Sequence, residues 1–374
     1  MREDLASISK MGFGCMRLPL IDPADPTSID IDQLKAMVDV FMEAGNTYFD
    51  TAFLYHGGAS EAAVRQALVE RYPRESFTVA TKCPAAFLPT KEAAHATLAT
   101  SLERLGVAYL DFFLLHNLGS TRTATFDEYG MWEFAQRAKE QGLVRNIGFS
   151  LHDGPEALDE LLTAHPALDF VQLQVNYLDW DDPHAQARRL MEVADSHGVP
   201  VVIMEPCRGG RLCELPEEAA AILAEGHPAI TQAEWAYRFC WDLPNVITVL
   251  SGMSTLEQVE QNTASYRARR PLSADERGTL GRAVEAIRAL AVVPCTGCGY
   301  CVEGCPAHVM IPDVMEMLNL EAMTRNPAFA KATYGWRTEA GRASSCIGCG
   351  ACEAMCPQQI DIIHQLEVAA GKFE

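Results

Sequence analysis

Eight short apolar runs rich in Val, Ile and Phe recur along the chain, separated by stretches with helical spacing. They fall at 12–16, 48–50, 77–82, 110–116, 144–150, 170–175, 199–204 and 246–251. Strands covered on both faces read as continuous apolar runs, and eight strands each followed by a helix is the (β/α)8 barrel count. The first helix shows its buried face through Leu34, Met37, Val38 and Phe41, with Gly45 as its stop. Further helices are expected near 60–70, 92–105, 128–141, 155–164, 184–197 and 255–265, and at 231–241 after the seventh strand. A doubly wound open sheet would place a Gly-rich dinucleotide turn directly after the first strand. Gly12-Phe13-Gly14 lacks the third glycine and reads as a tight bend. The fold expected is α/β, a (β/α)8 barrel.

At 374 residues there is room for that barrel and one small domain. Past Pro271 the alternation stops. Ser273-Ala274-Asp275-Glu276 is a capping box, and Leu280, Val284, Ile287 and Leu290 continue one helical face. The expected division is a barrel over 1–272, a connecting helix packed on it over 273–294, and a helical, loop-rich cysteine domain over 295–374. The net charge of −20, from 30 basic and 50 acidic residues, argues against nucleic acid or an anionic membrane as partner, and its plain reading is solubility. No apolar run has the ~20 residues of a membrane-spanning helix. Met1-Arg2-Glu3-Asp4 opens no secretory signal. A cytoplasmic location is expected.

Barrels of this kind carry their chemistry where strands end. Those ends hold Asp50, Lys82, His116, Ser150, Gln172, Asn176, Glu205 and Ser251, with Tyr55 one loop after Asp50. A lysine buried at a strand end needs a partner, and Asp50 can supply it. A phenol, with an ordinary pKa of about 10, is a poor acid at neutral pH. An adjacent ammonium favours phenolate. Lys82, held by Asp50, is therefore expected to lower the pKa of Tyr55, the general acid/base for a carbonyl oxygen. His116 would donate a hydrogen bond to that oxygen. Singly, each residue reads as a cap, a core tyrosine or a structural ion pair. The four together read as a site.

These residues, with the segment 12–18 and Ile147-Gly148-Phe149-Ser150, resemble the aldo-keto reductases over roughly 5–265. The resemblance implies hydride transfer between NAD(P)(H) and a small carbonyl or alcohol substrate. It implies that Ser150 and Gln172 hold the nicotinamide carboxamide, with Asn176 nearby. Pro206, Arg208, Gly209 and Arg211 would lie along the pyrophosphate, and Gly252, Gln258 and Asn262 near the adenosine. Gln258 also reads as a helix cap with Thr255, and Asn262 as a surface residue. Two positions depart from the family: Met204 stands where an aromatic usually stacks on nicotinamide, and Gly252 and Gln258 replace the usual Lys and Arg. The choice between NAD and NADP is thus open. His152-Asp153 either reaches the site or, the preferred reading, caps the next helix.

Of 13 cysteines, five are scattered (Cys15, Cys83, Cys207, Cys213 and Cys240) and read as core or loop residues. The others form two runs, Cys295-x-x-Cys298-x-x-Cys301-x-x-x-Cys305-Pro306 and Cys346-x-x-Cys349-x-x-Cys352-x-x-x-Cys356-Pro357. That pattern fits metal in a reducing compartment, not a disulfide frame. It resembles a two-cluster ferredoxin over about 290–360. In that arrangement three cysteines of one run and the fourth of the other share a [4Fe–4S] cluster. Cys295, Cys298, Cys301 and Cys356 form one set, and Cys346, Cys349, Cys352 and Cys305 the other. Two zinc sites are the alternative. The long segment 306–345 is expected to add helices.

The function expected is an oxidoreductase with two clusters for electron transfer. Hydride carries two electrons and each cluster one, so a flavin is the group that would bridge them, although no flavin motif stands out. An electron-carrier protein is the partner such clusters would serve. The alternative is a non-catalytic, sensing barrel with a redox-sensing or structural Fe–S domain.

Overall fold

The computed structural model describes residues 2–374 apart from 120, 121, 184, 291, 296, 298 and 357, and apart from the side chains of Tyr300 and Glu303. Eight parallel strands close into a barrel in chain order. They are β1 Met11–Gly14, β2 Tyr48–Asp50, β3 Thr78–Cys83, β4 Leu110–Leu118, β5 Val144–Leu151, β6 Phe170–Gln174, β7 Val201–Met204 and β8 Val246–Gly252. Closure is made by β1 on β8, with Met11 opposite Val249 and Gly14 opposite Gly252. The expected barrel is therefore present.

The interior is filled by side chains. Tyr48, Ala80, Phe112, Leu114, Phe170, Val202, Ile247 and Leu250 form one buried cluster with Leu5 of the short helix Glu3–Ala6. Phe112 meets Tyr48 and Phe170 edge-on at 5.1 and 4.8 Å, an arrangement that suits aromatic quadrupoles. Gly12 and Gly14 lie inside β1 and do not form the expected bend. Gly12 lets β1 pack closely, because a Cβ there would stand 2.9 Å from the end of the Leu250 side chain and push it aside. Gly148 has the same role in β5: its Cβ would meet the Phe170 carbonyl at 2.4 Å.

The helix Ile31–Glu43 buries the expected face, is capped by Asp30 on Gln33 N, and is followed by Gly45 at φ 82°. Its Phe41 wedges against Phe13 and Phe49, each at 5.3 Å. The single helix expected at 128–141 is two helices, Thr123–Glu128 and Met131–Glu140, parted by left-handed Gly130 at φ 62°. Helices without a counterpart in the sequence reading include Glu3–Ala6, Glu217–Ala224 and Ile362–Phe373. No helix among the described residues is long and apolar enough to cross a membrane.

The chain divides into two compact units, one of 1–181, 185–209 and 233–272, the other of 182–184, 210–232 and 273–374. The helix Ala274–Arg288, with its reciprocal Ser273–Glu276 cap, belongs to the second unit and there packs on Glu217–Ala224. The core of that unit forms around the helix Ile311–Thr324, whose Ile311, Val314, Met315 and Leu318 join Tyr334 and Phe373. Asn319 pins the preceding loop by bonding both the N–H and the carbonyl of Val293, at 2.8 and 2.7 Å. The segment 306–345 does add helices, Ile311–Thr324 and Pro327–Arg337.

Candidate active site and cluster-binding loops

Asp50 ends β2, Lys82 stands near the end of β3, and both side chains are almost fully enclosed. An ammonium has three donors, and all three are committed. Lys82 donates to the Asp50 carboxylate, to the Thr51 carbonyl at 2.8 Å and to the Tyr55 hydroxyl at 3.2 Å. The second oxygen of Asp50 accepts from Gln172 Nε2 at 3.3 Å. Tyr55 opens the turn Tyr55–Gly58, which His56 and Gly57 shape with φ of 54° and 62°. His116 approaches the tyrosine ring edge-on, with centroids 5.9 Å apart, and its buried Nδ1 has no hydrogen-bond partner among the described residues. The structure thus brings the four expected residues together.

Burial disfavours the Lys82 ammonium, but Asp50 and Tyr55 outweigh it and raise its pKa above the ordinary lysine value. Burial likewise pushes Asp50 up, against the pull of Lys82 and Gln172. For Tyr55 burial is the largest effect and Lys82 opposes it, so the phenol lies above its ordinary value and not below it as expected. The phenol therefore stays protonated at neutral pH. Because its oxygen accepts from Lys82, its own hydrogen is free to point elsewhere. His116 is held well below the ordinary imidazole value by burial, then by the charges of Lys82 and His152, so it is neutral.

The expected dinucleotide contacts divide. Ser150 and Gln172 are paired across β5 and β6. Ser150 Oγ accepts from Asn117 N at 2.8 Å, and Gln172 Oε1 is buried without a partner among the described residues. The side-chain hydrogen bonds of Asn176 are made within the chain. Its amide donates to Asp179 at 2.7 Å and to the Glu205 carbonyl at 3.2 Å, and its oxygen accepts from Leu178 N and Asp179 N. Arg208 is tied to buried Asp179 at 3.0 Å. Both residues tie the loop after β7 to the segment that follows β6. Pro206 is buried in that loop, and Gly209 takes φ 70°. Arg211 falls in the second unit, its guanidinium stacked 3.8 Å over the Phe329 ring. Gln258 caps its helix through Ser254 N at 2.7 Å. Asn262 is buried, not on the surface, and donates to Ser251 Oγ at 3.2 Å, tying its helix to β8. Met204 lies half-buried against the barrel cluster.

Arg17 and Asn117 escaped the sequence reading. Arg17 crosses the ends of β7 and β8: it lies 4.0 Å from Glu205 and fills the space beside Gly209 and Gly252, where an added Cβ would meet it at 3.3 Å. The absent lysine at 252 thus has a cation over its position. His152 does not cap the following helix, which has no side-chain cap. Open to solvent but ringed by protein, it is lowered to about 4 by burial and by the charges of Arg122 and Lys82. Asn117 sits in a break in the β4 ladder.

In the second unit, Cys295, Cys301 and Cys356 line one small cavity with Ile311, Met315 and Ile360. Cys305, Cys346, Cys349 and Cys352 line another with Ile347 and Leu366. Each cavity collects cysteines of one run and the last cysteine of the other, the crossed arrangement expected. Cys298 lies outside the described residues. The two runs share a backbone shape: Gly297 and Gly299 have φ of 69° and 78°, Gly348 and Gly350 of 67° and 75°. In the second run this turns Gly348 N onto Cys346 Sγ at 3.4 Å. Such N–H···S contacts tune a cluster's surroundings. Among the described residues no three ligand-type side chains converge on a single-ion site.

A closed parallel barrel with a buried lysine–carboxylate pair beneath a tyrosine, in one chain with a cysteine-lined two-cavity domain, defines a barrel oxidoreductase joined to an iron–sulfur module. Residues 10–285 match the aldo/keto reductase family, and residues 294–360 match the 4Fe-4S dicluster domain. The chain belongs to the aldo/keto reductase family. An aldo-keto reductase of Mycolicibacterium smegmatis is 31% identical over 252 residues, covering 66% of this chain and 81% of that protein. An uncharacterized oxidoreductase of Bacillus subtilis is 25% identical over 293 residues, covering 70% and 89%. Among solved structures, the holo form of aldo-keto reductase AKR11C1 from Bacillus halodurans matches with a TM-score of 0.60 and 26% identity, covering 74% of this chain and 92% of that one.

Proposed function

We propose that the protein reduces a small carbonyl compound, or oxidises the matching alcohol, with NAD(P)(H) as hydride carrier and Tyr55 as general acid/base. Bound at the strand ends, the dinucleotide would give or take a hydride at the substrate carbon. The observation that carries the reading is the hydrogen bond from Lys82 to the Tyr55 oxygen at 3.2 Å. It leaves the phenol hydrogen free for the substrate oxygen. The phenolate left after transfer lies beside an ammonium that offsets its charge. Asp50 keeps that ammonium charged and in place. Neutral His116 offers one ring N–H to the same oxygen and orients it.

The residues present fit the dinucleotide at its nicotinamide end. The buried, unpartnered Gln172 Oε1 is an acceptor that an amide N–H would satisfy. Ser150 and Gln172 are the residues we assign to the carboxamide. Pro206, Gly209, Gly252 and Gln258 are assigned to the remainder. Asn176, Arg208 and Asn262 hold those loops in shape.

We assign 1–272 to the barrel, 273–294 to a connecting segment and 295–374 to the cluster domain. One [4Fe–4S] cluster is placed on Cys295, Cys298, Cys301 and Cys356, the other on Cys305, Cys346, Cys349 and Cys352. Passing electrons between hydride and clusters needs a two-to-one-electron converter of the flavin type, with an electron-carrier protein as external partner. Thiolate-held clusters suit the reducing cytoplasm.

Anaerobic purification followed by iron and sulfide analysis should find about eight iron atoms per chain. NADPH or NADH should be consumed with members of an aldehyde and ketone panel, and should bleach the cluster absorbance only when flavin is added. Absence of binding by both dinucleotides would overturn the reading.

A further inference from the structure

The pairing of β4 with β5 breaks where the site begins. Leu115 faces Phe149 and Leu118 faces Leu151, so His116 and Asn117 together face the single residue Ser150. This is a β-bulge. Asn117 takes the left-handed backbone at φ 66°, which Asn tolerates better than most residues. Its N–H donates to Ser150 Oγ at 2.8 Å. With that oxygen already accepting, the Ser150 hydroxyl keeps its hydrogen for another acceptor. On its other side Ser150 is in register with Gln172. Asn117 Oδ1 and Gln172 Oε1, on the two strands that flank Ser150, are both buried without a hydrogen-bond partner among the described residues. Such atoms are uncommon in folded proteins. Two such acceptors on the strands that flank a hydroxyl able to donate match the pattern of a primary carboxamide, which has two N–H donors and one carbonyl acceptor.

We propose that Asn117 is a third residue holding the nicotinamide carboxamide, an inference that rests on the dinucleotide reading above. The Ser150 hydroxyl donates to the carboxamide oxygen. Asn117 Oδ1 and Gln172 Oε1 accept its two N–H groups. Three neighbouring strands, β4, β5 and β6, thus contribute one contact each, and the bulge is what brings the β4 contact to the row. The amide is thereby fixed in one orientation, which fixes the ring face turned to the substrate.

The test compares NADP(H) with its 3-acetylpyridine analogue, which replaces the amide NH2 by CH3, using dissociation constants read from tryptophan fluorescence. Asn117→Gly keeps the left-handed backbone and the N–H to Ser150 while removing the side chain. Wild type should prefer the carboxamide dinucleotide by about tenfold or more. Asn117→Gly should weaken that dinucleotide several-fold, leave the analogue within about twofold, and so shrink the preference. Asn117→Asp, which keeps an acceptor oxygen and tolerates the same backbone, should keep most of it. Equal weakening of both ligands, no weakening of either, or a wild type without preference would overturn the role of Asn117 while leaving dinucleotide binding intact. A wild type that binds neither ligand would overturn the dinucleotide reading, and this inference with it.

Discussion

Lys82 donates to the Tyr55 hydroxyl at 3.2 Å with its other two N–H groups held by Asp50 and the Thr51 carbonyl. The ammonium therefore has no freedom to swing away, and the tyrosine oxygen has a fixed positive neighbour on one side. Burial keeps the phenol protonated, so the pair is arranged to hold a proton ready and to accept the charge that follows its loss.

Removing one partner of the buried pair should separate structure from chemistry. Lys82→Met leaves Asp50 enclosed without its cation and should cost about 3–5 kcal/mol of stability, measured by denaturant unfolding. Adding Asp50→Asn should recover most of that stability but none of the turnover. Recovery of turnover in the double variant would show that the ammonium has no chemical role.

The direction of the Tyr55 shift sets a pH profile. Reduction needs the protonated phenol, whose pKa lies above its ordinary value. The kcat/KM for reduction should therefore stay level through neutral and mildly alkaline pH and fall only above about pH 10. A decline beginning near pH 7 would assign the proton to another group.

Two histidines should make the fold acid-sensitive. His116 and His152 both lie below the ordinary imidazole value when folded, His152 at about 4. The unfolded chain then binds more protons than the folded one below about pH 6.5, so stability is intact above that pH and lost as pH falls toward 4. His152→Gln should flatten this acid limb in thermal unfolding between pH 7 and 5. An unchanged limb would place the titration elsewhere.

Cysteine variants should damage the clusters crosswise. Cys305 lines the cavity of Cys346, Cys349 and Cys352, and Cys356 lines that of Cys295 and Cys301. Cys305→Ala should therefore perturb the same electron paramagnetic resonance signal as Cys349→Ala, and Cys356→Ala the same signal as Cys295→Ala. Pairing of Cys305→Ala with Cys295→Ala would refute the crossed ligand sets.

The barrel was legible because strands buried on both faces leave uninterrupted apolar runs, and because the four site residues stand at or beside the ends of such runs. The cysteine sets were legible from spacing. Packing was less visible: Gly148 is required by the Phe170 carbonyl, a contact made only when β5 and β6 pair. The helix Glu217–Ala224 opens with two glutamates and buries only Ala219 and Leu223, too narrow a stripe to signal a helix. The loop residues were hardest. Asn176 and Arg208 look like ligands in a sequence, but buried Asp179 claims both. Lys82 beside Tyr55 suggested a lowered phenol, and only the enclosure of the site showed that burial outweighs the ammonium.

The most direct test of proton delivery by Tyr55 is single-turnover hydride transfer with Tyr55→Phe, followed by loss of reduced-nicotinamide absorbance on an aldehyde that wild type reduces. Dinucleotide affinity is measured alongside. The expected result is a rate at least about a hundredfold lower with the dissociation constant nearly unchanged. A variant that transfers hydride within about threefold of the wild-type rate would contradict the role given to Tyr55.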